Sequence, residues 1–385
     1  MCMPNANIPN ELQAAIDQFN TWSDEHSQLE QARTTIDTPL YHYTDERGLK
    51  GIIESETIWF TNYRHLNDPS ELIHGIDLAK DVSRALETGA DKRVGLFLQM
   101  LRHMLSEQNF SNALDFFIAS FSRERDDLGQ WRSYADNGRG YALGLAQRVF
   151  AIVDKPNRKP DENVFVAPVV YKTDEAYSRH QKAIEKAATI LLGTVETNEN
   201  LMQNKKIGIP FFEEMARAVI ASPLIWNCLT SKHPGYEHES EVRLIILGLR
   251  DKLKPFIKTR LRGNEVVPYI EHRLPIRSSI VEIVAGPAAP CGAERKVQTL
   301  LNSIRVGACL IFWIVLRRGQ SARRCAAPAP AAARAPRAAT QPRRRAWLRI
   351  FVVQCRLPCD PPLRGHSCNG GIIPRFHRAV CTKAV

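Results

Sequence analysis

Hydrophobic residues in the N-terminal part of the chain follow two spacings in turn. Residues 10–33 place apolar side chains at helical intervals among many charges, which predicts a peripheral helix. Residues 39–44 and 57–61 are short runs rich in aromatic and β-branched side chains, which predicts two strands. Leu49, Ile52 and Ile53 share one helical face, so a short helix over about 46–55 is predicted between these strands.

The start of the next helix can be predicted residue by residue. Asp68 is a favoured N-cap, Pro69 suits the first helical position and Glu71 the third. The pattern predicts that this helix runs to about Thr88, and that a second helix follows near 91–107. Capping does not explain Asn67, which either braces the turn or faces a ligand.

The pattern from residue 115 onward favours strands, interrupted by two long helical stretches over roughly 174–204 and 210–230. The strands are predicted at 115–122, 139–146, 164–172, 241–249, 255–261, 266–272 and 278–287. We therefore predict one α+β domain over residues 36–305, with a final helix near 290–304. Its mixed, largely antiparallel sheet is flanked by helices and carries a helical insertion near 174–230. Residues 1–35 form an N-terminal helical extension.

Charge is distributed unevenly between this body and the C-terminal part. The net charge is +11 over 385 residues. Residues 306–385 hold fourteen arginines and one lysine against a single acid, Asp360, so they carry +14 and the first 305 residues carry −3. The body therefore has an ordinary surface charge, and the basic balance belongs to the tail.

The tail also has a composition unlike that of the body. Residues 321–346 are almost wholly Arg, Ala, Pro and Ser, without an acid. This is typical of a GC-rich stretch translated in an unselected frame, and we expect a disordered low-complexity tail that folding does not need. The alternative is a genuine basic arm, and nucleic acid is expected as a partner only in that case. The apolar run 306–316 is too short to span a bilayer, so no membrane partner is predicted.

Cysteines follow the same division. Those of the body are Cys2, Cys228 and Cys291. Sparse thiols, without a secretory signal at the N-terminus, are typical of a cytoplasmic protein. In the tail, Cys355 and Cys359 have no second tight pair to complete a zinc framework, so no metal site is predicted.

Three stretches carry residue types that do chemistry. In the strand at 39–44, alternation puts His42 and Thr44 on one face, and His42 is either a satisfied core histidine or part of a site.

After the strand at 115–122, Trp131 and Tyr134 are three residues apart and either cover the core or form a wall for a flat ring.

The third stretch is GYEHESEVRLIIL, residues 235–247. Glu237, Glu239 and Glu241 alternate into an apolar strand, which predicts three carboxylates on one face, with Arg243 continuing it. Like charges repel unless a cation or hydroxyl groups offset them. Arg243 can pair with Glu241, whereas a carboxylate left unpaired would mark a functional site.

Five segments together resemble the bacterial family catalogued as domain of unknown function 2971. They occur in the family's order within residues 39–290: LYHYTDERGLKGII, TIWF leading into LNDPSE, FSRERDDLGQWRSYADNGRGYALGL, YEHESEVRLI and IVEIVAGP. The family implies a fold but no activity.

The opening of the domain is also similar to ADP-ribosyltransferase-like domains, in which a His strand precedes a short helix and a second strand. This resemblance implies a split sheet and NAD as the substrate. It implies that His42 holds the NAD ribose, and that Glu239 or Glu241 is the late-strand glutamate that contacts the reacting ribose. His42 and Glu241 must then approach each other across the sheet. The remaining candidate NAD contacts are Thr44, Tyr63, Asn67, Trp131, Tyr134 and Arg243.

Two interpretations of function stay open at this point. The first is an NAD-using ADP-ribosyltransferase-like enzyme with a toxin or phage-defence role and an unidentified acceptor. The second is a non-catalytic sensor or interaction module that binds a nucleotide or a protein in the same cleft. A metal-dependent hydrolase is a third class, but the chain has no HExxH or comparable spacing to support it.

Overall fold

The computed structural model describes residues 8–66, 70–106, 108–109, 114–150, 159–303, 313–316 and 350–352. Its strands are β1 Leu40–Thr44, β2 Thr57–Asn62, β3 Leu114–Ser122, β4 Tyr141–Leu145, β5 Val164–Pro168, β6 Glu241–Leu249, β7 Lys258–Arg262, β8 Glu265–Arg273, β9 Ile280–Ala285, β10 Trp313–Leu316 and β11 Ile350–Val352. Its main helices are α1 Asn10–Arg33, α2 Glu46–Ser55, α3 Ser70–Glu87, α4 Lys92–Met104, α5 Leu128–Tyr134, α6 Thr173–Thr197, α7 Glu199–Met202, α8 Lys205–Val219, α9 Ile225–Leu229, α10 Arg250–Leu253, α11 Ile276–Ser279 and α12 Ala293–Ser303.

The sheet is organised around β3, whose two edges are used differently. One edge pairs with β6 along its whole length, and β5 lies beyond β6. The other edge is shared, because β1 meets it at Ser122 while β2 meets it at Ile118 and Phe117. The sheet therefore divides into an arm containing β1, β4 and β9 and an arm containing β2, β8 and β7. The predicted α+β fold, with a largely antiparallel sheet flanked by helices, is confirmed.

The two faces of the sheet are covered by different elements. Helices α1, α3, α4, α6 and α8 form the larger core on one face, against Ile118 and Ile245. The opposite face packs Phe121 and Val242 against α2 and α12. The helical insertion predicted near 174–230 is present as α6 to α9, and it supplies much of the larger core.

Several element limits differ from those predicted, each for a local reason. β5 ends at Pro168 instead of residue 172, since proline offers no amide hydrogen to a ladder. β7 begins at Lys258 rather than 255 because Lys254–Phe256 form a 3-10 turn with a central proline. By contrast, α3 ends at Glu87, within one residue of the predicted Thr88, and Gly89 follows with a φ of 79°, the left-handed conformation that stops helices. The predicted cap, Asp68 and Pro69, lies outside the described residues.

The C-terminal residues that are described add two strands to the sheet. β10 pairs in parallel with β9, and β11 pairs antiparallel with β10. The other residues after 303 lie outside the described part of the chain. The predicted limits of the domains and the predicted low-complexity tail stay predictions.

His180 is a polar residue in the helical core. It lies in α6 with no exposed surface, and neither ring nitrogen has a hydrogen-bond partner among the described residues. Burial, with smaller contributions from Arg179 and His74, lowers the pKa of this imidazole to about 3. The ring is therefore neutral in the folded protein.

We expect His180 to make the protein sensitive to acid. The unfolded imidazole gains a proton near its ordinary pKa of 6.5, whereas the folded one does not until about 3. The free energy of unfolding should fall between these values, by at most about 1.4 kcal/mol per pH unit. Urea unfolding between about pH 7.5 and 4.5 measures this slope.

The His180→Leu variant should lose that part of the slope. His103→Leu, at an exposed position of α4, should keep it. Equal slopes for the wild type and His180→Leu would contradict the prediction.

Candidate functional site

The segment before β6 does not continue the strand backwards. Pro234–Glu239 form a 3-10 turn capped by the side chain of His233, and Ser240 follows in the left-handed conformation with a φ of 44°. β6 begins only at Glu241. The predicted alternation of three glutamates along one strand face is therefore wrong, because a proline at the first position of the turn favours a helical conformation. Glu237 is exposed on this turn.

Five charged side chains meet where β6 begins, and we call them the ion cluster: Glu71, Lys232, Glu239, Glu241 and Arg243. None has a side chain more than 12% exposed. The Lys232 ammonium lies 2.8 Å from a Glu71 oxygen, 2.5 Å from Glu239 and 3.4 Å from Glu241. Arg243 binds both oxygens of Glu241 at 3.0 and 2.9 Å and also donates to Glu71. The predicted pair of Arg243 and Glu241 is confirmed.

Neighbouring elements hold the ion cluster in place. Arg243 donates from Nη1 to the Leu229 carbonyl oxygen at 2.7 Å, and the Ser120 side chain on β3 hydrogen-bonds Glu241. The backbone N–H of Glu241 donates to the Tyr171 hydroxyl at 2.9 Å. The cluster thereby joins α3, β3, β6 and the segments on either side of the helical insertion.

The charges of the ion cluster determine the ionisation of Glu241 and Lys232. Burial would raise the pKa of Glu241, but Arg243 and Lys232 outweigh burial and hold that pKa at about 2. Burial would also lower the pKa of Lys232, but Glu241 and Glu71 outweigh it and raise that pKa above its ordinary value. Both groups are therefore charged at neutral pH, as is Arg243.

Glu239 differs from Glu241. Burial is the largest influence on its carboxyl and raises its pKa, against the opposing charge of Lys232. The cluster contains three carboxylates and two cations, so one proton would balance its charge. Glu239 is the member suited to take up and release that proton.

The three aromatic candidates occupy different environments. Trp131 is 2% exposed, donates from its ring nitrogen to Asp126 at 2.9 Å and lies edge-on to Tyr43, so it belongs to the core. Tyr63 is buried against Phe116. Tyr134 lies beside the ion cluster, where burial and the charges of Glu239 and Glu241 raise the pKa of its hydroxyl to about 12.

His42 lies where the sheet divides. Its Nδ1 is 3.0 Å from the carbonyl oxygen of Ser120, on the stretch of β3 between its contacts with β1 and β2, and its ring contacts Phe121. By strand alternation, His42 and Thr44 project to the face opposite that of Glu241. The structure does not bring the side chains of His42 and Glu241 together. Burial lowers the pKa of His42, which keeps the ring neutral.

A cavity adjoins the inner side of the ion cluster. It has room for about one water molecule, since the centre of a water-sized sphere can occupy only about 10 Å³ of it, and Tyr63, Glu71, Cys228 and Arg243 are among the residues that line it. Pockets for drug-sized ligands measure about 300–1,000 Å³. A dinucleotide would therefore have to approach the cluster from the outer side, where Tyr236 is 37% exposed and its ring lies 4.8 Å from the Lys232 ammonium.

The sequence did not indicate two members of the ion cluster. Glu71 fits a capping position, so its side chain was not expected to reach Arg243 and Lys232. Lys232 stands alone between predicted elements, and an isolated lysine is usually solvated. Asn67 lies outside the described residues.

The described ranges contain neither a candidate metal cluster nor a candidate membrane span. There, no three or more His, Cys, Asp or Glu side chains are grouped so as to hold a metal ion. No helix in these ranges is both long enough and apolar enough to cross a bilayer.

Comparison with known proteins agrees with the resemblance noted above. Residues 130–244 match the model of a family described as "Protein of unknown function (DUF2971)". The match includes Tyr134, Lys232, Glu239, Glu241 and Arg243. No curated protein and no solved structure matches the chain. The distant similarity to ADP-ribosyltransferase-like domains stays a prediction. Over residues 130–244, the chain is therefore similar to the family of proteins of unknown function designated DUF2971.

Proposed function

We propose that the protein cleaves the bond between nicotinamide and ribose in NAD, as ADP-ribosyltransferase-like enzymes do, with Glu239 as the carboxylate beside the reacting ribose. The observation that carries the proposal is the contrast between the two glutamates. Glu241 is held in its charged form by Arg243, whereas Glu239 has a raised pKa and lies at the outer side of the ion cluster.

The chemistry requires a group of this kind. When the glycosidic bond breaks, its electron pair leaves with nicotinamide, and positive charge develops on the ribose. A fixed carboxylate beside that charge lowers the barrier. The acceptor, water or another nucleophile, then bonds to the ribose carbon and loses a proton, which Glu239 can accept.

Neighbouring groups have supporting roles in this proposal. The charge of Glu239 acts on the Tyr134 hydroxyl, so Tyr134 is the aromatic residue proposed to stack on the nicotinamide ring. Lys232 holds Glu239 in place through its bond of 2.5 Å. His42 acts indirectly, as a positioning residue. Its ring hydrogen-bonds the carbonyl oxygen of Ser120, and the Ser120 side chain hydrogen-bonds Glu241.

Glu239→Gln is expected to reduce nicotinamide release from NAD by about a hundredfold or more, because glutamine is similar in shape but cannot take a proton. The matched control is Glu237→Gln, an exposed residue of the same turn, which should leave the rate unchanged. The measurement is chromatographic detection of nicotinamide with the full chain. Absence of release by the wild type, or equal release by Glu239→Gln, would refute the proposal.

A second candidate function is a non-catalytic module that binds a nucleotide in the same place. It is favoured by the pairing of Glu239 and Glu241 with Lys232, which is typical of structural ion pairs. A thermal shift on adding NAD, without nicotinamide release, would support this function.

A further inference from the structure

Arg260 lies on the second arm of the sheet, formed by β2, β8 and β7, and is held by two aromatic rings. Its guanidinium carbon is 5.0 Å from the ring centre of Trp59 and 5.8 Å from that of Tyr269. Its Nη2 donates to the Thr61 hydroxyl at 3.1 Å. Strand pairing places these four side chains on one face.

Arg260 has no carboxylate partner among the described residues, although it is partly buried. Its Nε is buried and has no hydrogen-bond acceptor there either. By contrast, the partly buried Arg102, Arg125 and Arg179 each bind a glutamate. Burying a charge without a partner costs free energy, which an ion pair recovers in part. The environment of Arg260 therefore lacks an anion that comparable arginines possess.

The surroundings of Arg260 are cationic and aromatic. Burial and the charge of Arg262 lower the pKa of Arg260, so nearby residues do not supply the missing negative charge. The Trp59 ring is 42% exposed, which leaves part of this aromatic surface open to solvent. A guanidinium beside an open indole suits a ligand that carries both an anionic group and a flat ring.

We propose that Arg260 binds the phosphate group of a phosphorylated ligand, with Trp59 beside it available for stacking a base. Phosphate is the anion chosen, because its oxygens accept hydrogen bonds from a planar guanidinium and its negative charge is the one that Arg260 lacks nearby. This subsite requires no turnover, so it is independent of the glycosyl transfer proposed at Glu239.

The test is isothermal titration of the full chain with inorganic phosphate and with AMP at low salt. The wild type should bind at least one of them, and Arg260→Gln should weaken that binding by about tenfold or more. Arg262→Gln is the matched control. It removes the same charge from the same strand, but from an arginine already paired with Glu265, and should keep binding within about threefold.

The comparison of ligands identifies the source of the phosphate. AMP binding that exceeds phosphate binding, with the excess lost in Trp59→Ala, would indicate a nucleotide, whereas equal binding would indicate free phosphate. Arg260→Lys is a second variant, for the case in which Arg260→Gln does not fold. It keeps the positive charge but loses the planar guanidinium, so it should also bind more weakly than the wild type. No binding of either ligand by the wild type, or unchanged binding in both Arg260 variants, would overturn the proposal.

Discussion

Replacing Arg243 with methionine is expected to lower the free energy of unfolding by about 3–5 kcal/mol, because it leaves buried carboxylates without their main partner. Arg243 binds both oxygens of Glu241 and also reaches Glu71. Its side chain is only 3% exposed, so water cannot replace these bonds. Lys232 alone would then face the three carboxylates of the ion cluster. Urea unfolding followed by circular dichroism measures the loss.

Arg262→Met provides the control for this prediction. Arg262 also binds a glutamate, but its side chain is 44% exposed, and exposed ion pairs contribute about 0–1 kcal/mol. The two variants lose the same side-chain type and charge, so the difference between them isolates burial. Equal stability of the two variants would show that the ion cluster does not hold the helices to the sheet.

The second large effect is expected from Trp131→Ala, which should lower the free energy of unfolding by about 3–5 kcal/mol. The indole is 2% exposed and packs edge-on against Tyr43, so its removal leaves a cavity in the core over β1 and β4. Trp131→Phe keeps most of the ring but loses the hydrogen bond to Asp126, and should cost less, about 1–3 kcal/mol. Denaturant unfolding of both variants gives the comparison.

Trp59→Ala is the control, since this indole is 42% exposed and its loss should have a much smaller effect on stability. If Trp131→Ala kept its stability but lost binding of a nucleotide, Trp131 would be a stacking surface and not a core residue. Such a result would favour the second of the roles that the sequence allowed for it, a wall for a flat ring.

Residues of the ion cluster that look alike in the sequence are expected to have different roles. Glu241 and Arg243 are two residues apart on β6, so their side chains share a face and pair directly. Glu239 lies one turn earlier, outside the strand, and meets the same lysine from the outer side. Stability is therefore expected to depend on the inner pair, and chemistry on the outer carboxylate. The variants of Arg243 and Glu239 test these two tasks separately.

Much of the fold follows from local patterns of apolar and turn residues in the sequence. Helix α1, helix α2 and strand β6 have the predicted limits or nearly so, because periodic apolar positions and turn residues are local properties. The predictions failed where two local preferences compete. At Pro234–Glu239, alternating glutamates favoured a strand while the proline favoured a turn, and the turn prevailed.

The sequence by itself determined the α+β class, the order of the elements, the helical insertion and the pairing of Glu241 with Arg243. Each depends on residues close in the chain. Only the tertiary structure brought Glu71 and Lys232 to that pair. It also placed His42 on the face of the sheet opposite that of Glu241, and placed Arg260 beside two aromatic rings with no carboxylate partner among the described residues. These features arise from contacts between residues far apart in the chain, and burial changes the free energy of a charge in ways that its neighbours in sequence do not reveal.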